Sequence, residues 1–298
     1  MFEKLIAPRS ESQIIGHWKY KDIVYISVIC PTFNQDSYIR DAIESFLAQE
    51  TEYRFEVIIH DDASSDDTSE IVKDYCQRYP SIIKAVFQVE NQYSINTLNP
   101  LRNLLEMATG KYIALCEGDD FWLHKEKLQK QIEIIESNAS FSLITHETTK
   151  ISESGDEILG CFNVRHGCYT TRDIIGNRWL FATNSLFFKK DVTKELPEWF
   201  LNSVNYDVAL QLLASVHGDI YALPDNLSFY RVSAKGSLTI LTSKRINSIR
   251  LKHFEMLFNF NRDNNYKFTV GLLFVSISLC KDIFKTKFKP FKDRLLGS

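Results

Sequence analysis

The first half of the chain alternates between apolar runs and amphipathic segments, and this alternation restricts the fold more than any other feature of the sequence. Pro80 ends one amphipathic segment, Pro100 opens another, and Gly110 follows where a left-handed residue would end that helix. Four strand–helix alternations predict a parallel sheet covered by helices on both faces, which is an α/β fold. The predicted strands are the apolar, β-branched runs 23–30, 55–62, 82–89 and 111–120.

Polar clusters end three of these four predicted strands. They are the segments 31–34, 61–62 and 117–120, which read PTFN, DD and EGDD. Ligands of open parallel sheets bind beyond the carboxyl ends of the strands, so the three clusters predict one binding site at this rim. Carboxylates this close repel one another, and a divalent cation would relieve the repulsion. A turn exposed to water is the alternative interpretation.

Several classes of protein are disfavoured by what the sequence lacks. It has no G-x-G-x-x-G after the first strand and no G-x-x-x-x-G-K-[ST], so neither a dinucleotide-binding domain nor a P-loop NTPase is expected. The net charge of −3 argues against a nucleic-acid partner. The six cysteines form no C-x-x-C pair, which favours reduced structural thiols. The first residues contain no secretory leader, so we expect a cytoplasmic protein.

Three motifs in this order resemble the family 2 glycosyltransferases of bacteria, which have a GT-A fold. They read ISVICPTFNQDSYIRDAIESFLAQ, FEVIIHDDASSDDT and GKYIALCEGDDFW, and the likeness is strong over 23–135 and weaker to about residue 237. The resemblance implies a Rossmann-like, mostly parallel central sheet with helices on both faces, plus a C-terminal helical extension. The implied divisions are an N-terminal segment 1–22, a GT-A domain 23–237 with a nucleotide-binding half 23–122 and an acceptor-binding half 123–237, and the extension 238–298.

The resemblance also implies a reaction, the transfer of a sugar from a UDP- or dTDP-sugar to an acceptor hydroxyl. By position, Phe33 would lie against the nucleobase, Asp62 would accept a hydrogen bond from the base, and the donor side would be completed by Pro31, Thr32 and Asn34. A capping role is the alternative for Asp62.

Asp119 and Asp120 match the family's motif for the metal and the diphosphate, with Glu117 as its leading acid. The resemblance implies Mg²⁺ or Mn²⁺ as the cofactor, with Asp120 as the direct ligand and Asp119 on the metal or on the donor's ribose. The chemistry agrees, because a hard cation on carboxylate oxygens neutralises a departing nucleoside diphosphate.

The second half is expected to bring the acceptor and a general base. Asp207 is placed at a helix start, where the family has its base, and an acid favoured by the helix dipole is the alternative. A base on the face opposite the diphosphate would make the transfer inverting. Residues Thr183, Asn184 and Ser185 resemble the segment before the family's acceptor-side strand and could bond acceptor hydroxyls, although a simple turn is equally consistent with them.

One departure from the family concerns the Y-R-x-H pattern. Here the residues are Tyr230-Arg231-Val232-Ser233, and serine is a poorer ligand for a metal or diphosphate than histidine. The ion could then be held more weakly, or Arg231 or Lys235 could contact the donor diphosphate.

The C-terminal region is predicted to begin with a helix over 241–262. The apolar run 268–280 is too short to span a bilayer, and lysines interleaved with phenylalanines follow it. This pattern suits peripheral contact with an anionic membrane at the inner face of the plasma membrane, or else a helix docked on the domain. A glycan or a lipid-linked acceptor of surface polysaccharide or glycolipid assembly would suit such a location.

Two rival functions remain at this point. A nucleotidyltransferase also places acids and a metal at an α/β rim, but it usually has a Gly- and Arg/Lys-rich loop where this chain reads PTFNQD. A degenerate member of the family would bind a nucleotide sugar or a glycan without turnover.

Overall fold

A computed structural model describes residues 4–175, 180–234, 246–273 and 275–276. Ten strands form one sheet in these ranges. The strands are β1 Ile26–Thr32, β2 Phe55–Asp61, β3 Ile83–Phe87, β4 Tyr112–Leu115, β5 Phe121–Trp122, β6 Phe141–Ile151, β7 Ile158–Cys161, β8 Gly167–Tyr169, β9 Phe187–Lys189 and β10 Asp219–Arg231. The α-helices are α1 Glu11–Ile15, α2 Ile39–Leu47, α3 Thr68–Arg78, α4 Gln92–Ile95, α5 Asn99–Met107, α6 Lys127–Ser137, α7 Thr171–Ile175, α8 Glu198–Leu201, α9 Tyr206–His217 and α10 Ile246–Asp263, with 3₁₀ turns at Thr183–Ser185 and Lys190–Thr193.

The sheet runs in the order β3-β2-β1-β4-β9-β6-β10-β5, with β7 beside β6 and β8 beside β10. The first four strands are parallel, as the strand–helix alternation predicted. β9 is antiparallel to both β4 and β6, and it joins the parallel first half to the parallel pair β6–β10. The carboxyl ends of β1, β2 and β4 therefore lie at one edge.

Helices cover both faces, because alternate side chains of a strand point to opposite sides. Val28 and Val57 belong to the core under α2, α3 and α6. Ile29 and Ile58 belong to a second core, which α5, α7, α8, α9 and α10 cover.

The two terminal segments also contribute to these cores in their described parts. Ile14 of α1 is fully buried, and Trp18 packs edge-on against Phe55 of β2 with ring centroids 5.6 Å apart. Phe260 of α10 packs in the same way on Trp199 of α8, at 5.1 Å. Within the described ranges, each helix is too short or too polar for a membrane span. The basic and aromatic residues predicted to contact a membrane lie outside the described residues.

Two local predictions were wrong. Gly110 does not adopt a left-handed conformation. Glycine is needed there because a Cβ would lie 2.6 Å from the backbone nitrogen of Ser27, so β1 and the start of β4 can approach closely. The fourth strand ends at Leu115 instead of continuing through the acids, which leaves 117–120 as a loop between β4 and β5.

Candidate active site

The three polar clusters meet at the rim through backbone hydrogen bonds. The Gly118 amide donates to the Pro31 carbonyl at 3.1 Å, which joins the acidic loop 117–120 to the end of β1. The Asp62 amide donates to the Thr32 carbonyl at 3.0 Å, which joins the end of β2 to the same strand. The expected convergence of the clusters at one rim is therefore present.

Close contact beneath the acidic loop requires glycine at position 118. A Cβ there would lie 2.6 Å from Gln35 Oε1, 2.7 Å from Thr32 Oγ1 and 2.9 Å from Ile39 Cδ1. Thr32 Oγ1 donates to Gln35 Oε1 at 2.8 Å, so the group under Gly118 is itself hydrogen-bonded. The loop is thus seated on the end of β1 and the start of α2.

Asp120 is fixed by partners from two distant segments. Its Oδ1 accepts from the backbone amide of Arg231 at 2.8 Å, and its Oδ2 accepts from Asn184 Nδ2 at 3.0 Å. Asn184 is fully buried, and it also donates to the Phe229 carbonyl at 2.8 Å and accepts from Ser228 Oγ at 2.8 Å. The Asp120 carboxylate is therefore held in one orientation by the end of β10 and the 3₁₀ turn before β9.

Glu117 connects the acidic loop to the predicted base. The hydroxyl of Tyr206, the first residue of α9, donates to the Glu117 carboxylate. Asp207 follows in the first turn of the same helix. Burial raises the pKa of Asp207 to about 6, and backbone hydrogen bonds oppose this rise. Burial, and after it the charges of Asp119 and Asp207, raise the pKa of Glu117 to about 8.

The two aspartates of the acidic loop also have raised pKa values. Burial raises the pKa of Asp119 to about 6, against the opposing effects of Arg231 and a hydrogen bond from Gln35. Burial, and then the charges of Asp119 and Glu117, raise the pKa of Asp120 well above its usual value. Each carboxylate is thus costly to ionise in the presence of the others.

The predicted base-binding residues lie at the end of β1 and directly after it. Phe33 and Pro31 are half-buried, and Asn34 has a left-handed backbone with φ of 52°. The Asn34 side chain accepts from the Ser65 amide at 2.7 Å.

Asp62 has the capping role that was the alternative to base recognition. Its two oxygens accept from the amides of Gln92 and Tyr93 at 2.6 and 2.9 Å, which caps the short helix α4. Each carboxylate oxygen keeps a second lone pair, so a bond to a nucleobase stays a prediction.

The predicted acceptor-binding residues are more deeply buried than such a role requires. Thr183 is 6% exposed, and Asn184 and Ser185 are fully buried. Ser185 Oγ donates to the Ala182 carbonyl at 2.7 Å and shares a hydrogen bond with Thr145 Oγ1 at 2.6 Å. Bonds from Asn184 and Ser185 to an acceptor do not fit these partners, and Asn184 instead supports Asp120.

The Arg231 side chain is directed into the protein. Its side chain is 2% exposed and donates to the Asp119 carbonyl and to Asp41. Ser233, which replaces the family's histidine, has a left-handed backbone with φ of 62°. Lys235 lies outside the described residues.

The predicted metal can be tested only against the donor atoms that the rim offers. Within the described ranges, no group of three or more His, Cys, Asp or Glu side chains is already arranged around a possible cation. Asp119 and Asp120 nevertheless provide hard carboxylate oxygens; burial raises both of their pKa values, and the charge of Asp119 adds to the rise for Asp120. Mg²⁺ and Mn²⁺ prefer oxygen ligands of this type, so the donor set fits such a cation.

A match to a family model identifies the protein family of this chain. The model of "Glycosyl transferase family 2" matches residues 27–188, which run from the second residue of β1 to the second residue of β9 and include the acidic loop. The chain belongs to glycosyl transferase family 2. The resemblance inferred from the three motifs is therefore confirmed, and the nucleotidyltransferase alternative loses its support.

Curated relatives of this family 2 member have varied descriptions. An uncharacterized protein of Mycobacterium tuberculosis is 32% identical over 214 residues, which cover 71% of this chain and 60% of that protein. The chain thus spans about 60% of the length of that relative. TuaG of Bacillus subtilis, named for a teichuronic acid biosynthesis glycosyltransferase, is 37% identical over 118 residues, covering 39% of this chain and 44% of TuaG.

Solved structures support the GT-A fold of this family 2 member. Residues 1–349 of TarS of Staphylococcus aureus, in complex with UDP-GlcNAc, align with a TM-score of 0.57 and 20% identity over 76% of this chain and 66% of that fragment. A mannosyltransferase of Pyrobaculum calidifontis in complex with GDP-Man and Mn²⁺ aligns with a TM-score of 0.55 and 15% identity, over 86% and 74% of the two chains.

Sequence reasoning missed two residues that shape the site, Tyr206 and Asp41, and it assigned Asn184 to the acceptor instead of to Asp120. Tyr206 bonds Glu117, Asn184 orients Asp120, and Asp41 pairs with Arg231. Tyr206 stands directly before the predicted base, which was the one available signal for it. The partners of Asn184 and Asp41 are 64 and 190 residues away along the chain, and no local pattern indicates them.

Proposed function

We propose that this protein transfers a sugar from a nucleotide sugar, a UDP- or dTDP-sugar, to an acceptor hydroxyl with inversion at the anomeric carbon. One observation carries the proposal: Glu117, Asp119 and Asp120 lie on one loop that is bonded to the end of β1, and Tyr206 links this loop to α9, whose first turn contains Asp207. The carboxylates that could bind a cation and the carboxylate that could accept a proton thus lie at the same rim. TarS and the Pyrobaculum enzyme, solved in complex with UDP-GlcNAc and GDP-Man, share the fold.

The donor would lie along the rim with its base near Phe33, between Pro31, Thr32, Asn34 and Asp62. Asp120 and Asp119 would hold Mg²⁺ or Mn²⁺, whose charge would stabilise the departing nucleoside diphosphate. The orientation of Asp120 by Asn184 and by the Arg231 amide supports this assignment, because fixed ligands bind a cation better than mobile ones.

Asp207 would act as the general base. The acceptor oxygen forms the new bond to the anomeric carbon, and its proton passes to the Asp207 carboxylate. The bond between that carbon and the diphosphate oxygen breaks, and its electron pair leaves with the nucleoside diphosphate. The pKa of about 6 supports the role, since Asp207 is then ionised at neutral pH yet basic enough to accept a proton.

A panel of nucleotide sugars tests the function directly. The full chain should melt at a higher temperature with its donor and Mn²⁺, because a ligand that binds only the folded state stabilises it. Incubation with that donor should then release a nucleoside diphosphate, through transfer or slow hydrolysis. Release of pyrophosphate would favour a nucleotidyltransferase, and a thermal shift without any turnover would favour a non-catalytic binder. If no nucleotide sugar shifts the melting temperature, the proposal is wrong.

The setting that we propose is the assembly of a bacterial surface polysaccharide or glycolipid on the cytoplasmic side of the membrane. The name of TuaG supports a polysaccharide product. Peripheral contact through the basic and aromatic residues after position 280 stays a prediction from sequence. Sedimentation of the full chain with anionic but not neutral vesicles would support it, and equal recovery in both supernatants would contradict it.

A further inference from the structure

Arg231 joins three parts of the candidate site from a buried position. Its backbone amide donates to Asp120 Oδ1 at 2.8 Å, and its Nη1 donates to the Asp119 carbonyl at 2.6 Å. Its Nη2 donates to Asp41 Oδ2 of α2 at 2.6 Å. One residue at the end of β10 therefore contacts both aspartates of the acidic loop and ties the loop to α2.

The surroundings of the Arg231 guanidinium keep it in this place. It lies over the rings of Tyr38 and Phe121, with centroids 4.9 and 5.0 Å away. The Tyr38 hydroxyl donates to Glu153 at 2.7 Å, in the turn after β6. Since only 2% of the side chain is exposed, Arg231 could contact a diphosphate only by leaving these partners.

Asp41 makes the burial of this charge possible. A buried guanidinium is costly unless an anion compensates it, and Asp41 is the carboxylate that pairs with it. Asp41 also pairs with Lys4 at 2.8 Å, but nearly half of the Lys4 side chain is exposed. Exposed ion pairs contribute little, so the pair with Lys4 should matter far less than the pair with Arg231.

We propose that Arg231 is a positioning residue that fixes the acidic loop for cation binding, and that Asp41 holds Arg231 in place. The proposal rests on the proposed function in one respect, the binding of a divalent cation by Asp119 and Asp120. Residues that orient metal ligands without touching the metal commonly affect metal affinity by 10- to 100-fold, in the manner expected here.

Mn²⁺ binding to the nucleotide-free full chain tests the proposal. Arg231→Met and Asp41→Asn should each raise the Mn²⁺ dissociation constant by about 10- to 100-fold, measured by calorimetry or by the free-Mn²⁺ electron paramagnetic resonance signal. The double variant should bind Mn²⁺ about as weakly as either single variant, because each substitution already removes the Arg231–Asp41 pair. Lys4→Met is the matched control and should bind like the wild type. Arg231→Lys keeps a charge beside Asp41 but not the planar fork, and should be intermediate.

Direct contact between Arg231 and the diphosphate predicts a different outcome. Arg231→Met would then raise KM for the donor at saturating Mn²⁺ and leave Mn²⁺ binding in the absence of nucleotide unchanged, and Asp41→Asn would have little effect. A positioning role predicts the reverse: the Mn²⁺ concentration for half-maximal activity rises, while the donor KM at saturating Mn²⁺ changes little. The direct-contact result would overturn the proposal.

Hydrogen exchange separates this proposal from the proposed function. In metal-free protein, amides of 117–122 should exchange faster in Arg231→Met and Asp41→Asn than in the wild type and Lys4→Met, while amides of the β2–β3 pair stay unchanged. If the wild type binds no Mn²⁺, the metal assignment fails but the exchange of the loop still decides whether Arg231 orders it. Unchanged exchange of 117–122 in both variants would refute the positioning role.

Discussion

Replacement of Lys127 by methionine should stabilise the protein, because this lysine is buried and has no carboxylate partner among the described residues. Lys127 opens α6 and is fully buried. Its Nζ donates to Gln131 Oε1 at 2.8 Å and lies 4.0 Å from the centroid of the Trp122 ring. His146, also fully buried, is close enough that the charge of Lys127 contributes to lowering its pKa. When Lys127 is protonated, its ammonium group is therefore shielded from water and contacts neutral side chains.

The size of the effect follows from the pKa of Lys127. Burial lowers it from 10.5 to about 7, against a smaller opposing effect of Cys116. The unfolded chain therefore binds more protons than the folded chain between pH 7 and pH 10, so stability rises as the pH rises. At about 1.4 kcal/mol per pKa unit, burial of this group costs about 4 kcal/mol at pH 7 and about 2 kcal/mol at pH 9. Lost contacts with Gln131 and Trp122 offset part of the gain, which leaves Lys127→Met about 2 kcal/mol more stable at pH 7.

Urea unfolding at pH 7, 8 and 9 provides the measurement. The advantage of Lys127→Met over the wild type should shrink by about 2 kcal/mol across this range. Lys130→Met is the control, because Lys130 lies on the same helix, is one third exposed and pairs with Asp225. Its difference from the wild type should not vary with pH by more than a few tenths of a kcal/mol. A pH-independent difference for Lys127→Met would show that the ammonium is hydrated or paired, and the reasoning would be wrong.

Three further predictions concern the site and the sheet. Asp207→Asn should lower turnover by about 10²- to 10⁴-fold while a thermal shift with the donor persists; full turnover would exclude a base role. Gly110→Ala should lower the free energy of unfolding in urea by about 1–3 kcal/mol, since its Cβ would meet the Ser27 backbone nitrogen, and an unchanged midpoint would contradict this. For Glu56, burial raises the pKa, but hydrogen bonds led by the one from Lys84 outweigh it and leave the pKa below its usual value. The stabilisation by ionised Glu56 is fully present above the pKa of the unfolded chain, and it is lost as the pH falls through the pKa of the folded chain. The free energy of unfolding should therefore fall less steeply with decreasing pH in Glu56→Gln than in the wild type. The same pH dependence in both proteins would refute this.

The sequence predicted the parallel half of the sheet well because its signals are local. The runs for β1 to β3 overlap the observed strands to within about three residues, since continuous β-branched segments are typical of buried parallel strands. β9 was harder to place in the sheet. It has three residues, and its position between β4 and β6 depends on pairing with Tyr112 and Leu143, which no local pattern specifies.

The same distinction applies to the candidate site. The positions of Asp62 just after a strand and of Asp207 at a helix start followed from local patterns, and so did the placement of Asp120 at the rim. Their partners did not, because the bonds from Asn184 and Arg231 to Asp120 span 64 and 111 residues. Motif resemblance assigned Arg231 to the donor, whereas tertiary packing directs its guanidinium toward Asp41 and the loop backbone.

The charge balance of the rim leads to a last prediction, strict dependence of donor binding on a divalent cation. A nucleoside diphosphate brings negative charge to a loop whose carboxylates already raise one another's pKa values. Arg231 reaches this loop, but its charge is matched by Asp41 and its side chain is buried. Coulomb repulsion should therefore make binding of UDP or dTDP in EDTA at least about 100-fold weaker than with Mn²⁺. Calorimetry in both buffers provides the measurement, with Asp120→Asn as a variant in which the benefit of Mn²⁺ should fall. Equal affinity with and without the cation would mean that a basic group outside the described residues neutralises the diphosphate, and the assignment of Asp119 and Asp120 to a metal would be wrong.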